Sequence, residues 1–200
     1  KLASSNGFLA LLMLTISFVV MLEGNFLFIV FATEAVGLRY ISYQTNDDAK
    51  ISLSAHLLFV IVCLWVVNTL YYSLGSTSVL WDVESITQLG VIAAGGILIP
   101  HWLSKNSAAE LYQAISHLLM LLWLYQKFAI GQNGQAWATI MWALYAVVLL
   151  VVGFVRREGK MRITAMGTIF LVVAKLLVID LAQMEAIWRI LMFMSFGLVF

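Results

Sequence analysis

The chain has 200 residues, of which 63% are hydrophobic and only 10% charged, and its formal net charge is +1. Soluble domains average about 25% charged residues, and no water-soluble fold of this length could hide so much apolar surface. Composition thus excludes a soluble domain and the clustered basic face of a nucleic-acid binder, and it predicts a polytopic membrane protein.

At roughly 20 apolar residues per span plus a short loop, the length accommodates about eight helices. The expected fold class is all-α, a polytopic transmembrane helical bundle forming a single transmembrane domain over 1–200. Apolar runs between polar punctuation predict spans at 7–22, 26–43, 51–72, 84–100, 108–128, 136–155, 162–180 and 186–200. The first run, "KLASSNGFLALLML", passes straight into membrane, and the last, "MSFGLVF", stops inside an apolar stretch. Both ends are therefore expected to be cut from a longer chain, with further helices upstream as partners.

Between the first two spans, Glu23, Gly24 and Asn25 can turn the chain tightly; one long tilted helix is the weaker reading. Glu34 is the deepest acid, near the middle of the second span. A mid-span charge costs roughly 2.5 to 3.5 kcal/mol on insertion scales, so Glu34 needs a partner or a job. The favoured reading is a hydrogen-bonded packing residue, and the sharper one is a proton-relay or substrate carboxylate.

The third span carries His56, Asn68 and the sole cysteine, Cys63, which can form no internal disulfide. His56, and His117 in the fifth span, lack a nearby Cys or carboxylate at ligand spacing, so both are expected to hydrogen-bond between helices. Asn68 and Gln88 in the fourth span are read the same way. Gly90 and Ala94 make a small-xxx-small face continued by Gly95 and Gly96, predicting close helix packing, and Pro100 is expected to end the span. No HExxH, CxxC, GxSxG or phosphate-loop pattern occurs, so neither catalytic nor metal-ligating residues are assigned. The 12 Phe, seven Trp and nine Met read as lipid-facing and core filling, with no cofactor.

The seventh and eighth spans carry "AKLLVIDLAQMEAIWRI", which sets Lys175, Asp180, Glu185 and Arg189 into an apolar block. Lys175 can extend toward the outer interface along its own stem. Asp180 is five residues on, about 140° around an α-helix, so a direct bond between the two is not expected. Glu185 precedes Arg189 by four, a favourable orientation for an ion pair, and Asp180 can meet Arg189 across the turn. The favoured reading is a charged clasp on a hairpin. The alternative is an outward-facing pocket in which Lys127, Lys175 and Arg189 hold an anionic group such as a lipid phosphate.

With eight spans, one side carries Lys1, Arg39, Lys50, Lys105, Arg156, Arg157, Lys160 and Arg162, eight of the 11 Lys and Arg. The positive-inside rule makes that side, and both ends of the chain, cytoplasmic. The stretch from Asn25 also aligns with that from Ala136, pairing Ala32 with Ala143, Ala35 with Ala146, Val60 with Val172 and Leu64 with Leu176. That suggests two parallel four-helix repeats, 7–100 and 108–200.

"RITAMGTIFLVVAKLLVIDLAQMEAIWRILMFMSFGLVF" resembles the C-terminal region of a bacterial family of large predicted membrane proteins, catalogued as domain of unknown function 2339. The family pattern of Lys, five residues to Asp, nine to Arg, then Phe and Gly falls on Lys175, Asp180, Arg189, Phe193 and Gly197. "FATEAVGLRYISYQT" and "MWALYAVVLLVVGFVRREGKMR" are similar to its repeating hairpins. The resemblance implies a bacterial inner-membrane location and a longer parent chain, and it brings no activity. The leading expectation is a non-enzymatic scaffold or accessory subunit of an envelope assembly, with membrane lipids and other membrane or envelope proteins as partners. The alternatives are a transporter or flippase for an anionic or lipid-linked envelope precursor, with Glu34 coupling to protons, and a membrane-embedded transferase using Asp82 or Asp180 as base.

Overall fold

A computed structural model describes residues 13–22, 24–45, 49–72, 82–103, 107–130, 134–180 and 194. Among them every regular element is a helix. In chain order these are α1, described over 13–21; α2, Asn25–Gln44; α3, Ala49–Tyr72; α4, Val83–Trp102; α5, Ser107–Phe128; α6, Gly134–Val155; and α7, Gly159–Lys175, which continues as a π-turn over Leu176–Asp180. Five of them, α2, α3, α4, α6 and α7, are long and apolar enough to cross a membrane. The expectation of eight spans is thus met by five among the described residues. Helix α5 has the length, but Glu110, Gln113, His117, Gln126 and Lys127 dilute its apolar character. The eighth predicted span, 186–200, lies outside the described residues apart from Met194.

The break between α1 and α2 is a turn at Gly24, whose φ of 63° is a conformation glycine adopts without steric cost. Two helices, not one long one, result. The outward faces of α3, α6 and α7 carry large apolar side chains such as Leu57, Leu64, Leu144, Phe154 and Phe170, all more than half exposed, as a lipid-facing surface requires.

The chain divides into two compact units, one up to Trp123 and the other from Leu124, with the boundary inside α5. The core of the first is Ala35 and Leu38 of α2, Phe59, Val62, Val66 and Leu70 of α3, and Val91 and Ile92 of α4. Asp82 caps α4, accepting a 2.7 Å hydrogen bond from the Ser85 amide. Helix α4 does not end at Pro100. Proline has no N–H, and its ring collides with the carbonyl four residues back in an α-helix. Here a π-turn at Ala94–Leu98, in which the Ile99 amide reaches back to the Ala94 carbonyl, precedes the proline, and the helix runs on to Trp102. The close packing expected of the glycines is centred on that turn. A Cβ on Gly95 would stand 2.5 Å from Ser116 Oγ and 2.7 Å from Phe59 Cζ, whereas one on Gly90 would meet nothing within 4 Å.

In the second unit α6 and α7 form a hairpin. Its buried face is built from small residues, Ala138, Ala146 and Gly153 on α6 and Ala165 on α7, with Thr139, Thr168, Val172 and Lys175. Small residues let helix backbones approach closely inside a membrane. Of the four residue pairs aligned in sequence between α2–α3 and α6–α7, two agree in burial: Ala35 and Ala146 are both 0% exposed, and Ala32 and Ala143 are both half-buried. Val60 and Val172 differ, at 51% and 7% exposed.

Candidate polar sites in the membrane helices

Lys175 is 7% exposed and sits where α7 passes from α-helix to π-turn. Its ammonium donates to the Gln135 carbonyl oxygen at 3.2 Å and to Thr139 Oγ1, both on the opposite helix of its own hairpin. The Thr139 hydroxyl donates its own hydrogen to the Gln135 carbonyl at 2.9 Å, which turns its lone pairs toward the ammonium. The Gln135 side chain in turn donates to the Tyr125 hydroxyl at 2.9 Å. Beside this cluster lies an open recess of about 470 Å³, whose lining includes Tyr125, Trp142, Leu171, Lys175 and Val178. An ammonium surrounded by oriented oxygen dipoles is a solvated charge, with the protein in place of water.

Of the residues expected to join Lys175, Lys127 is buried in the last turn of α5 but does not line the recess. The backbone of Asp180 ends the π-turn, and its side chain lies outside the described residues, as do Glu185 and Arg189 entirely. The π-turn revises the expected angular separation. Its hydrogen bonds close over five residues instead of four, so position 180 is rotated back toward the face that carries Lys175.

Glu34 accepts a 2.6 Å hydrogen bond from the Thr15 hydroxyl of α1. Its second carboxylate oxygen is buried with no hydrogen-bond partner among the described residues. Gln88, fully buried, donates to Thr69 Oγ1 at 3.0 Å and to Glu84 Oε1 at 3.1 Å. Thr69 thus takes the place expected of Asn68, which is exposed.

The polar group that sequence reading missed is Arg39. Counted there only toward the excess of cations on one side, it is the largest fully buried side chain described, at 2% exposed. Its Nη1 donates to Ser52 Oγ at 2.9 Å and its Nη2 to the Trp102 carbonyl at 2.8 Å. That carbonyl belongs to the last turn of α4, where helix carbonyls have no intrahelical donor and a cation is favoured. Ser52 lies 3.4 Å from His56 Nε2, and His56 Nδ1 shares a 2.6 Å hydrogen bond with the Tyr112 hydroxyl. His56 therefore does bond between helices, from α3 to α5. The only sequence signal for this knot was the i, i+4 spacing of Ser52 and His56, which puts both on one helix face.

A model of the family described as "Predicted membrane protein (DUF2339)" matches residues 79–200. The chain belongs to the DUF2339 family. The matched segment takes in α4 to α7 and, with them, the Lys175 cluster and the Asp180, Arg189, Phe193 and Gly197 positions of the family pattern. The Arg39 knot spans the start of the match: Arg39, Ser52 and His56 precede it, while Trp102 and Tyr112 fall inside the DUF2339 segment. No curated protein and no solved structure matches the chain.

Proposed function

We propose that this DUF2339 protein is a non-enzymatic, multi-spanning scaffold or accessory subunit of an envelope assembly, seated in the bacterial inner membrane with both ends of this segment cytoplasmic, and that its buried cations are structural ties. The observation that carries this reading is the direction of the Lys175 ammonium, which points at Gln135 and Thr139 of its own hairpin. A charge spent on the partner helix holds two helices together; a charge kept for a substrate would face the recess with its donors uncommitted.

A second reading, transport or flipping of an anionic or lipid-linked precursor, draws support from two observations. One is the open recess beside Lys175. The other is the second carboxylate oxygen of Glu34, buried with no hydrogen-bond partner among the described residues. The transferase reading draws no comparable support from the described residues: the Asp82 carboxylate is engaged as a helix cap, and the Asp180 side chain lies outside them.

The test is a cycle of Lys175→Ala, Thr139→Val and the double variant, measuring unfolding in micelles and the cell-envelope phenotype of a strain lacking the native gene. A structural tie predicts lower stability in each single variant and no further loss in the double. A lost envelope phenotype with undiminished stability would overturn the scaffold reading in favour of transport.

A further inference from the structure

The connection that closes the α6–α7 hairpin sets four cations, Arg156, Arg157, Lys160 and Arg162, against one carboxylate, Glu158, within seven residues. Arg156, Arg157 and Lys160 are exposed. The backbone beneath them is a Schellman turn: the Arg157 amide donates to the Phe154 carbonyl at 3.2 Å and the Glu158 amide to the Gly153 carbonyl at 3.0 Å. Such a turn requires a left-handed residue, and glycine is its usual occupant. Here that residue is Arg157, with φ 56°, the one non-glycine with positive φ among the described residues. An L-residue there bears a steric cost that glycine does not, and a strained position kept by a large cation points to a use for the side chain.

The surroundings fix where that charge stands. A Cβ on Gly153 would lie 2.9 Å from Arg162 Cγ and 3.1 Å from its amide nitrogen, so the first turn of α7 rests directly on α6. The Arg162 guanidinium lies 5.5 Å from the centre of the Phe154 ring. Phe154 and Val155 are 60% and 79% exposed. The exposed cations therefore follow directly on the exposed apolar ends of two membrane-length helices.

We infer that the turn from Arg156 to Arg162 is a docking surface for the headgroups of anionic phospholipids, with Arg157 held in its strained conformation for its charge. Charge complementarity and the position at the ends of two membrane-length helices select this occupant, because juxtamembrane clusters of Lys and Arg attract anionic lipid.

The whole chain in a non-ionic detergent, titrated with phosphatidylglycerol or phosphatidylcholine and followed by native mass spectrometry, tests this. Native protein is expected to bind phosphatidylglycerol more tightly. Arg157→Gly, which relieves the backbone and so preserves the fold, is expected to weaken that binding about fivefold, the effect of one interfacial cation, while Arg157→Lys retains it. Combining Arg157→Gly with Arg156→Gln and Lys160→Gln should erase the preference. An unchanged preference in Arg157→Gly, or in the triple variant, would overturn the inference. So would displacement of the lipid by inorganic phosphate at an ionic strength where chloride leaves it bound, since the site would then take a free anion.

Discussion

The α2–α3 and α6–α7 hairpins are both pairs of membrane-length helices joined by a short connection, yet they bury a cation at opposite ends. Beside the α2–α3 connection, Arg39 is drawn inward to 2% exposure. Beside the α6–α7 connection, Arg156, Arg157 and Lys160 stay outside, and the buried cation, Lys175, lies at the far, open end against the first turn of α6. The supply of acceptors separates the two. Arg39 reaches the carbonyl of Trp102, left without an intrahelical donor at the end of α4, and the Ser52 hydroxyl. At the corresponding end of α6–α7, Gly153 brings the backbones together, and the Arg162 guanidinium lies 5.5 Å from the centre of the Phe154 ring. Lys175 has the doubly used Gln135 carbonyl and the Thr139 hydroxyl. A cation enters a membrane interior where oriented oxygens await it, and its distance along the helix is secondary.

Arg39→Ala is expected to have the largest effect, lowering the unfolding free energy by about 3 kcal/mol, because two part-buried acceptors lose a charged donor. Arg156→Ala, measured alongside by unfolding in micelles, should change it by less than about 0.5 kcal/mol; equal losses would erase the contrast. Next comes Gly95→Ala, expected to cost about 2 kcal/mol through overpacking against Ser116 and Phe59. The coupling between Lys175 and Thr139, read from the double-variant cycle, should be about 1 kcal/mol, in the range of hydrogen bonds between membrane helices. Arg157→Gly should raise stability by about 1 kcal/mol, the cost of a left-handed L-residue. Gly90→Ala, with open space around it, should raise it by about 0.5 kcal/mol.

Much of the fold was legible because span boundaries are set by hydropathy, which is local. Predicted spans 26–43 and 136–155 correspond to Asn25–Gln44 and Gly134–Val155, each within two residues at either end. Lys175 was also singled out, since an ammonium in an apolar run is visible without a partner. Its partners were not: Gln135 acts through its backbone carbonyl, which every residue possesses, and Thr139 is an ordinary membrane-helix residue. Arg39 was misread for the opposite reason. Near the end of a span, a cation is expected to extend to the interface, and only the tertiary placement of Trp102 turns it inward. Pro100 was read as a stop because the π-turn that accommodates it leaves no distinct composition in "AGGIL".

That π-turn also constrains the length of α4. It lodges one residue more than an α-helix would need between Ala93 and Ile99. Removing a single residue, for instance Gly96, would restore the α-helical hydrogen-bond register and leave the residues beyond it close to their present angular positions, because the wider turn already absorbs the extra residue. Trp102 would keep its place near the Arg39 guanidinium, but Pro100 would fall into a straight helix, where its ring collides with the carbonyl four residues back. The length of this segment is therefore under a stricter constraint than its apolar character: most apolar replacements within it can be absorbed, whereas a one-residue deletion sets the Pro100 ring against the helix backbone in a single step.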